Sequence, residues 1–350
     1  MTPIPAEQSI ARKSMDPLPL ISLITPSFQQ ASMLERCLAS VALQGDGLVE
    51  HIVVDGGSTD GSRGIIEAHA DALAWWCCEK DRGQSDALNK GLAHATGPVF
   101  GWLNSDDALL PGALRTVAEA FAADPSLVIL EGARTVIEQG KAPVIDPQND
   151  PGDRRMLFMD PKVNQQALFF RMDAVRAAGG VDPALHLVMD LELLWRILFA
   201  HGGMRHRVIS DVLAEFHVHP GSKTGMQRER FRHERAGVLH GLCTLNGEQE
   251  LARILSIGYQ WPASIRPMPM AKGQVDHVRD MVVHFLLKWD RQAYTQDSFE
   301  RMRQLLGWEG LRAYTNDLVH GPRIAEARAL LTSSSWTLHR VKRKLNHLFA

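Results

Sequence analysis

Cysteine is scarce in this chain: four residues in 350, at positions 37, 77, 78 and 243. That is too few for a disulfide-stapled scaffold, and it suits a reducing cytoplasm. Cys77 and Cys78 are neighbours in an apolar run and read as strand residues, and no C-x-x-C pair points to zinc. Net charge is nearly absent as well. Lys and Arg number 38 against 40 Asp and Glu, a formal charge of -2, so nothing draws the whole molecule to nucleic acid. No stretch approaches the roughly 18 uninterrupted apolar residues that a membrane-spanning helix needs. Residues 1–18 mix prolines and charges without an apolar core, which describes a flexible leader rather than a signal peptide. Internal repeats are missing too. What is left, 45% hydrophobic and 22% charged, is an ordinary globular composition on a chain long enough for a sizeable core.

The first half alternates two periodicities. Short apolar runs, "LISLIT" (20–25), "EHIVV" (50–54), "ALAWWCC" (72–78), "GPVFGWL" (97–103) and "SLVILEG" (126–132), predict strands. Between them lie amphipathic segments: 31–45 with a capping-box spacing at Ser32 and Glu35, 64–70, 84–95, and 111–124 with Pro111 in its first turn. Continuous apolar strands separated by such helices predict an α/β fold, a mostly parallel sheet with helices on both faces. From 133 to 220 the alternation loosens into strand-like pieces, "NQQALFF" and "HRVISDVLAEFHVH", around a helix over 183–203. Residues 226–350 read as an almost wholly helical appendage, broken at "WPASIRPMPM", which divides the chain into 1–18, 19–225 and 226–350.

Ligands of open α/β sheets bind beyond the carboxyl ends of the strands. In this chain those ends are polar. Thr25, Pro26, Ser27 and Phe28 follow the first strand, and "DGGSTDGS" from Asp55 follows the second. "EKDRGQSDA", with Asp81, Arg82 and Asp86, follows the third, and "NSDD" (104–107) the fourth. Adjacent acids closing a buried strand need compensation, and a divalent cation supplies it.

Taken together, "ITPSFQQ", "VVDGGSTDGS", "EKDRGQSDALNKG" and "GWLNSDD" resemble glycosyltransferase family 2, with its GT-A fold, over roughly residues 20–225. The resemblance implies a metal-dependent, inverting transfer of sugar from a nucleoside-diphosphate sugar, a UDP-sugar by preference. The acceptor would be a hydroxyl of a glycan or lipid-linked carrier in surface polysaccharide synthesis. The family's Asp-x-Asp segment falls on Asn104-Ser105-Asp106. This makes Asp106 the chief ligand of Mg²⁺ or Mn²⁺ and Asp107 a supporting or sugar-contacting acid, with Asn104 departing from the pattern. Asp55 is expected to meet the nucleobase in a pocket lined by Thr25, Pro26 and Ser27. Asp81, Arg82 and Asp86 are expected near phosphate or ribose, and His219, Ser222 and Lys223 on a loop over the diphosphate. The acceptor's general base is expected at Asp190, where the family's paired acids are reduced to Met189-Asp190. Gln165 and Gln166 fall on the acceptor side.

Simpler readings exist for single residues. Asp55 before Gly-Gly suits a turn, Asp86 and Asp107 suit helix starts, and Asp190 suits an ion pair with Arg196 or Arg171. His217 and His219 form an H-x-H pair without a third zinc ligand at useful spacing. Two other functions fit acids at strand ends. A sugar nucleotidyltransferase would place a glycine-rich basic loop after the first strand, which "ITPSFQQ" lacks; a non-catalytic binding protein would tolerate Asn104 and Met189. The segment 333–350 sets Leu338, Val341, Leu345 and Leu348 beside Arg340, Lys342, Arg343 and Lys344. Such a basic amphipathic helix suits peripheral contact with the inner membrane face.

Overall fold

Along residues 21–24 the side chains of Ile21 and Leu23 enter one apolar cluster and that of Ile24 another, so this strand is buried on both sides. The computed structural model describes residues 17–45, 47–222, 227–261, 265–266 and 276–288. Its strands are β1 (Ile21–Ser27), β2 (Val49–Asp55), β3 (Trp75–Cys78), β4 (Val99–Trp102) and β5 (Ala108–Leu109). They continue as β6 (Ile129–Glu138), β7 (Val144–Ile145), β8 (Leu168–Arg171) and β9 (His206–Val218). They form one sheet in the order β3-β2-β1-β4-β8-β6-β9-β5, with β7 added on β6. Strands β1 to β4, β6 and β9 point one way, while β5, β7 and β8 run against them. The sheet is therefore mostly parallel; of its antiparallel members, β7 and β8 fall where the sequence alternation loosens, and the two-residue β5 lies just before α4.

Helices α1 (Ala31–Ala42) and α4 (Ala113–Ala123) cover one face through Cys37, Val41, Leu114, Val117 and Phe121. On the other face lie α3 (Gln84–His94) and α7 (Met189–His201), and α2 (Ser62–Ala68) packs Ile66 against Leu34, Leu38 and Val53. Two short helices, α5 (Arg154–Met159) and α6 (Met172–Ala177), flank β8. Beyond residue 226 come α8 (Arg228–Leu245), α9 (Gln249–Gly258) and α10 (Asp276–Lys288). Leu239, Leu242, Leu255, Met281 and Phe285 of these helices belong to the same buried cluster as Trp102 and Trp195. The expected helix over 333–350, the leader through residue 16 and Lys223 lie outside the described residues.

Three element boundaries differ from expectation. Ser32 and Glu35 form no capping box. Helix α1 starts at Ala31, and its first N–H is taken at 2.9 Å by Asp60 from the loop after β2. Pro111 precedes helix α4 rather than opening it, since Gly112 is the N-cap in a left-handed conformation, φ 80°. The helix expected from 183 begins at Met189, because Asp182 bends the chain by accepting the Ala184 N–H at 2.9 Å.

Two strand pairings shape the site. Strand β5 pairs antiparallel with β9, Ala108 opposite Glu215 and Leu109 opposite Ala214, which brings residues 104–107 against the distant His217 and His219. The β6–β9 ladder slips at Ala133, where Gly132 packs so tightly that a Cβ would stand 2.4 Å from Leu213. Such a bulge bends the strand and redirects the end of β9.

Candidate active site

Strand β1 ends in buried residues. Thr25 is fully buried and shares a 2.8 Å hydrogen bond with His51, so its hydroxyl is used inside the sheet. Pro26 is also buried. The Ser27 hydroxyl is buried with no partner among the described residues. An unpaired buried hydroxyl is costly, and a ligand group is one way to satisfy it.

Asp55 ends β2 and builds the glycine turn. Its Oδ1 accepts the N–H groups of Gly57 at 3.1 Å and Ser58 at 2.7 Å and the Cys78 thiol at 3.1 Å, and its Oδ2 accepts the Ser58 hydroxyl at 2.7 Å. The turn reading of Asp55 is therefore realised, and Oδ2 keeps capacity for one more donor. Beside it, a Cβ on Gly56 would stand 2.9 Å from Asp81 Oδ2 and 3.1 Å from the Phe28 ring. The ends of β1, β2 and β3 thus converge on one glycine. Burial pushes the Asp81 carboxyl above its ordinary range, against the N–H of Gly83, which it accepts at 2.8 Å.

Arg82 and Asp86 pair with each other at 2.5 Å, and the Arg82 side chain is 78% exposed. The hydrogen bond from Arg82 holds the Asp86 carboxyl below its usual range. This pair organises the start of α3, and Arg82 is turned outward. The inward contact from this segment is Gln84, whose Nε2 donates to Asn104 Oδ1 at 2.7 Å.

Asn104 is the hub of the fourth strand end. Its Nδ2 donates to Gln165 Oε1 at 3.0 Å and makes a long 3.5 Å contact with Asp107 Oδ2. A carboxylate at this position could not donate to Gln165, and it would place a third acid beside Asp106 and Asp107. The departure from Asp-x-Asp is thus matched by the surrounding amides. Asp107 is fully buried, accepting Gln166 Nε2 at 2.6 Å and the His217 N–H at 3.0 Å. Burial first, and then the charge of Asp106, push its carboxyl up to about 7.

Asp106 faces the other way. Its Oδ2 lies 3.0 Å from His219 Nε2, with both side chains partly exposed, 18% and 17%. The Gly221 N–H donates to His219 Nδ1 at 3.2 Å, so the ring proton belongs on Nε2 and points at Asp106. His217 goes elsewhere, to Glu215 at 3.0 Å and to Arg36. Among the described residues no group of three His, Cys, Asp or Glu side chains is placed to hold a metal by protein atoms alone.

Asp190 is the second residue of α7, half-buried, with Oδ1 accepting the Leu191 N–H at 2.8 Å. Arg196 is instead engaged by Glu192 of the same helix, and Arg171 by the carbonyls of Phe121, Asp124 and Leu127. The expected alternative partners of Asp190 are thereby occupied. Sequence reasoning missed Arg36, whose Nη2 donates to the Asp106 carbonyl at 2.6 Å, and also Gln84. Their only local signal is polarity beside core positions, since their partners come from remote strand ends.

A family model for glycosyl transferase family 2 matches residues 22–171. A glycosyltransferase of PGL/p-HBAD biosynthesis from Mycobacterium bovis is 38% identical over 220 residues, which are 60% of this chain and 82% of that one. The chain belongs to glycosyl transferase family 2. It is accordingly a glycosyltransferase, and solved structures agree on the GT-A fold. Staphylococcus aureus TarS 1–349 in complex with UDP superposes with a TM-score of 0.57 at 18% identity, covering 93% of this chain and 91% of that one. The mannosyltransferase PcManGT from Pyrobaculum calidifontis, with GDP-Man and Mn²⁺, gives 0.52 at 18% identity, covering 93% and 84%.

Proposed function

We propose that this glycosyltransferase moves a sugar, with inversion, from a nucleoside-diphosphate sugar to a hydroxyl of a glycan or lipid-linked acceptor in surface polysaccharide or glycolipid synthesis. A UDP-sugar is the preferred donor. The observation that carries the reading is the outward-facing Asp106–His219 pair, 3.0 Å apart, on the rim that Ser27, Asp55 and Asp81 share. A carboxylate oxygen suits Mn²⁺ or Mg²⁺ when a donor diphosphate fills other coordination positions. Asp106 would hold the ion, His219 would orient that carboxylate by donating its Nε2–H to it, and Asp107, committed to Gln166 and His217, would support them from below. Such an ion supplies positive charge against the departing diphosphate.

The chain's own groups account for the remaining roles. The Ser27 hydroxyl and Asp55 Oδ2 offer an unpaired donor and a spare acceptor to the nucleoside, and Asp81 flanks them across Gly56. Asp190 accepts the proton of the acceptor hydroxyl as that oxygen attacks the anomeric carbon. The basic segment 338–348 suits an enzyme working on a lipid-linked acceptor at an anionic membrane face. No described helix is long and apolar enough to cross a membrane.

The test is nucleoside-diphosphate release with Mn²⁺ from UDP-glucose, UDP-N-acetylglucosamine and GDP-mannose, alongside UDP binding by calorimetry. Asp106→Ala should abolish Mn²⁺-dependent UDP binding and lower turnover roughly a hundredfold or more. Asp190→Asn should lower turnover as far while leaving UDP binding intact. Turnover that survives either change sinks the mechanism, and donor binding without turnover favours a non-catalytic protein.

A further inference from the structure

We infer that Glu234, on the first helix of the C-terminal region, is a positioning residue that presets the loop delivering Asp190. This inference rests on the reading of Asp190 as the base. Helix α7 has no side-chain cap of its own at Val188. The backbone N–H groups just before it converge instead on Glu234, which is 4% exposed. Its Oε2 accepts His186 N–H at 3.1 Å, Leu187 N–H at 2.8 Å and Val188 N–H at 3.3 Å, and Oε1 lies 3.3 Å from His186 N.

Three successive N–H groups turned to one carboxylate form an anion nest, and the positive end of the α7 dipole adds to it. A buried carboxylate is costly unless paired or hydrogen-bonded, and these bonds compensate it. The same loop is held from the opposite side by α3. The Ser85 hydroxyl donates to the Leu185 carbonyl, and a Cβ on Gly83 would stand 3.1 Å from the His186 ring. One loop is therefore clamped between the donor-side segment 81–86 and helix α8, and Asp190 stands two residues beyond its last clamped N–H. Glu234 lies outside the 22–171 stretch that the family model matches. This assigns the C-terminal helices a share in the geometry of transfer.

The experiment uses the full chain, with Glu234→Ala and Glu234→Gln made alone and in Asp190→Asn. Three readouts are taken: turnover of the three nucleotide sugars named above, UDP binding with Mn²⁺, and amide hydrogen exchange. Glu234→Ala should lower kcat roughly ten- to a hundredfold, the scale of a misplaced reacting group, with UDP affinity unchanged. Exchange at residues 186–190 should rise roughly tenfold, while 104–109 stays as in the wild type. Glu234→Gln, which keeps one acceptor oxygen, should recover part of the loss. In Asp190→Asn, removing Glu234 should cost no further turnover. Unchanged kcat and exchange in Glu234→Ala overturn the inference, as does an equal fall in both backgrounds or a parallel loss of UDP binding. If Glu234→Ala does not fold, Glu234→Gln carries the same comparisons. Wild-type turnover in Asp190→Asn overturns the base reading itself, whereas an inactive Asp190→Asn with a fully active Glu234→Ala overturns this inference alone.

Discussion

At the scale of single residues, the polar groups under the rim matter as much as those on it. His51 is fully buried on β2, tied to Thr25, and burial, then the nearby His69 charge, push its pKa down to about 3. In the unfolded chain the same ring takes up a proton at roughly 6.5. Its folded pKa lies below its unfolded one, so as pH falls below about 6.5 the unfolded state binds a proton that the folded state refuses. Stability drops by up to about 1.4 kcal/mol per pH unit through that window. Replacing His51 with Asn, which can keep a hydrogen bond to Thr25 and cannot titrate, should flatten the fall in Tm between pH 7 and pH 5. Equal slopes in wild type and variant by thermal melts would remove His51 from the account. The same scale explains Asn104, which is informative only with its neighbours. Its substitution for an acid looks like a loss in sequence, and beside Gln84 and Gln165 it is the residue type that can both accept and donate.

Among elements, the first four strands and the polar ends of β1 to β4 were readable because each is a local pattern, an apolar run followed by turn or polar residues. Boundaries depending on a distant partner were not readable. Helix α1 takes its cap from Asp60 and the loop before α7 takes its from Glu234, so neither start carries its own signal. The meeting of Asp106 with His219 was equally hidden, because the β5–β9 pairing that produces it joins segments more than a hundred residues apart. Gly83 is the point where α3 meets the loop before α7. It is the N-cap of α3 at φ 117°, where side chains are strained, and a Cβ would press the His186 ring at 3.1 Å. Gly83→Ala should cost about 1–3 kcal/mol through that backbone strain. It should also raise amide exchange at 185–188 more than at 129–133. Uniform exchange across both segments would mean that α3 and the loop are not mechanically joined.

For the whole molecule, the question is whether the helices after residue 226 are an accessory or part of the folding unit. The contacts favour the second. Arg235 of α8 ion-pairs with Asp160 at 2.8 Å and lies 5.1 Å over the Trp195 ring of α7. From α10, His284 reaches Asp160 at 3.1 Å, Asp280 pairs with Arg155 at 2.8 Å, and His277 stacks on Phe158 at 4.6 Å. Trp195 and Phe158 are therefore partly covered by the C-terminal helices, within one continuous buried cluster that also holds Phe199. Exposing a large core side chain costs about 1.5–3 kcal/mol. Uncovering even five of them rivals the roughly 5–15 kcal/mol by which domains are stable at all. A chain ending at Ser222 should accordingly fail to unfold cooperatively, bind hydrophobic dye at 25 °C, and lose Mn²⁺-dependent UDP binding. The full chain should melt in a single transition that UDP and Mn²⁺ raise together. Two separate calorimetric transitions in the full chain, or a soluble truncated form that still binds UDP, would make the helical region an independent domain and confine its influence on the site to contact alone.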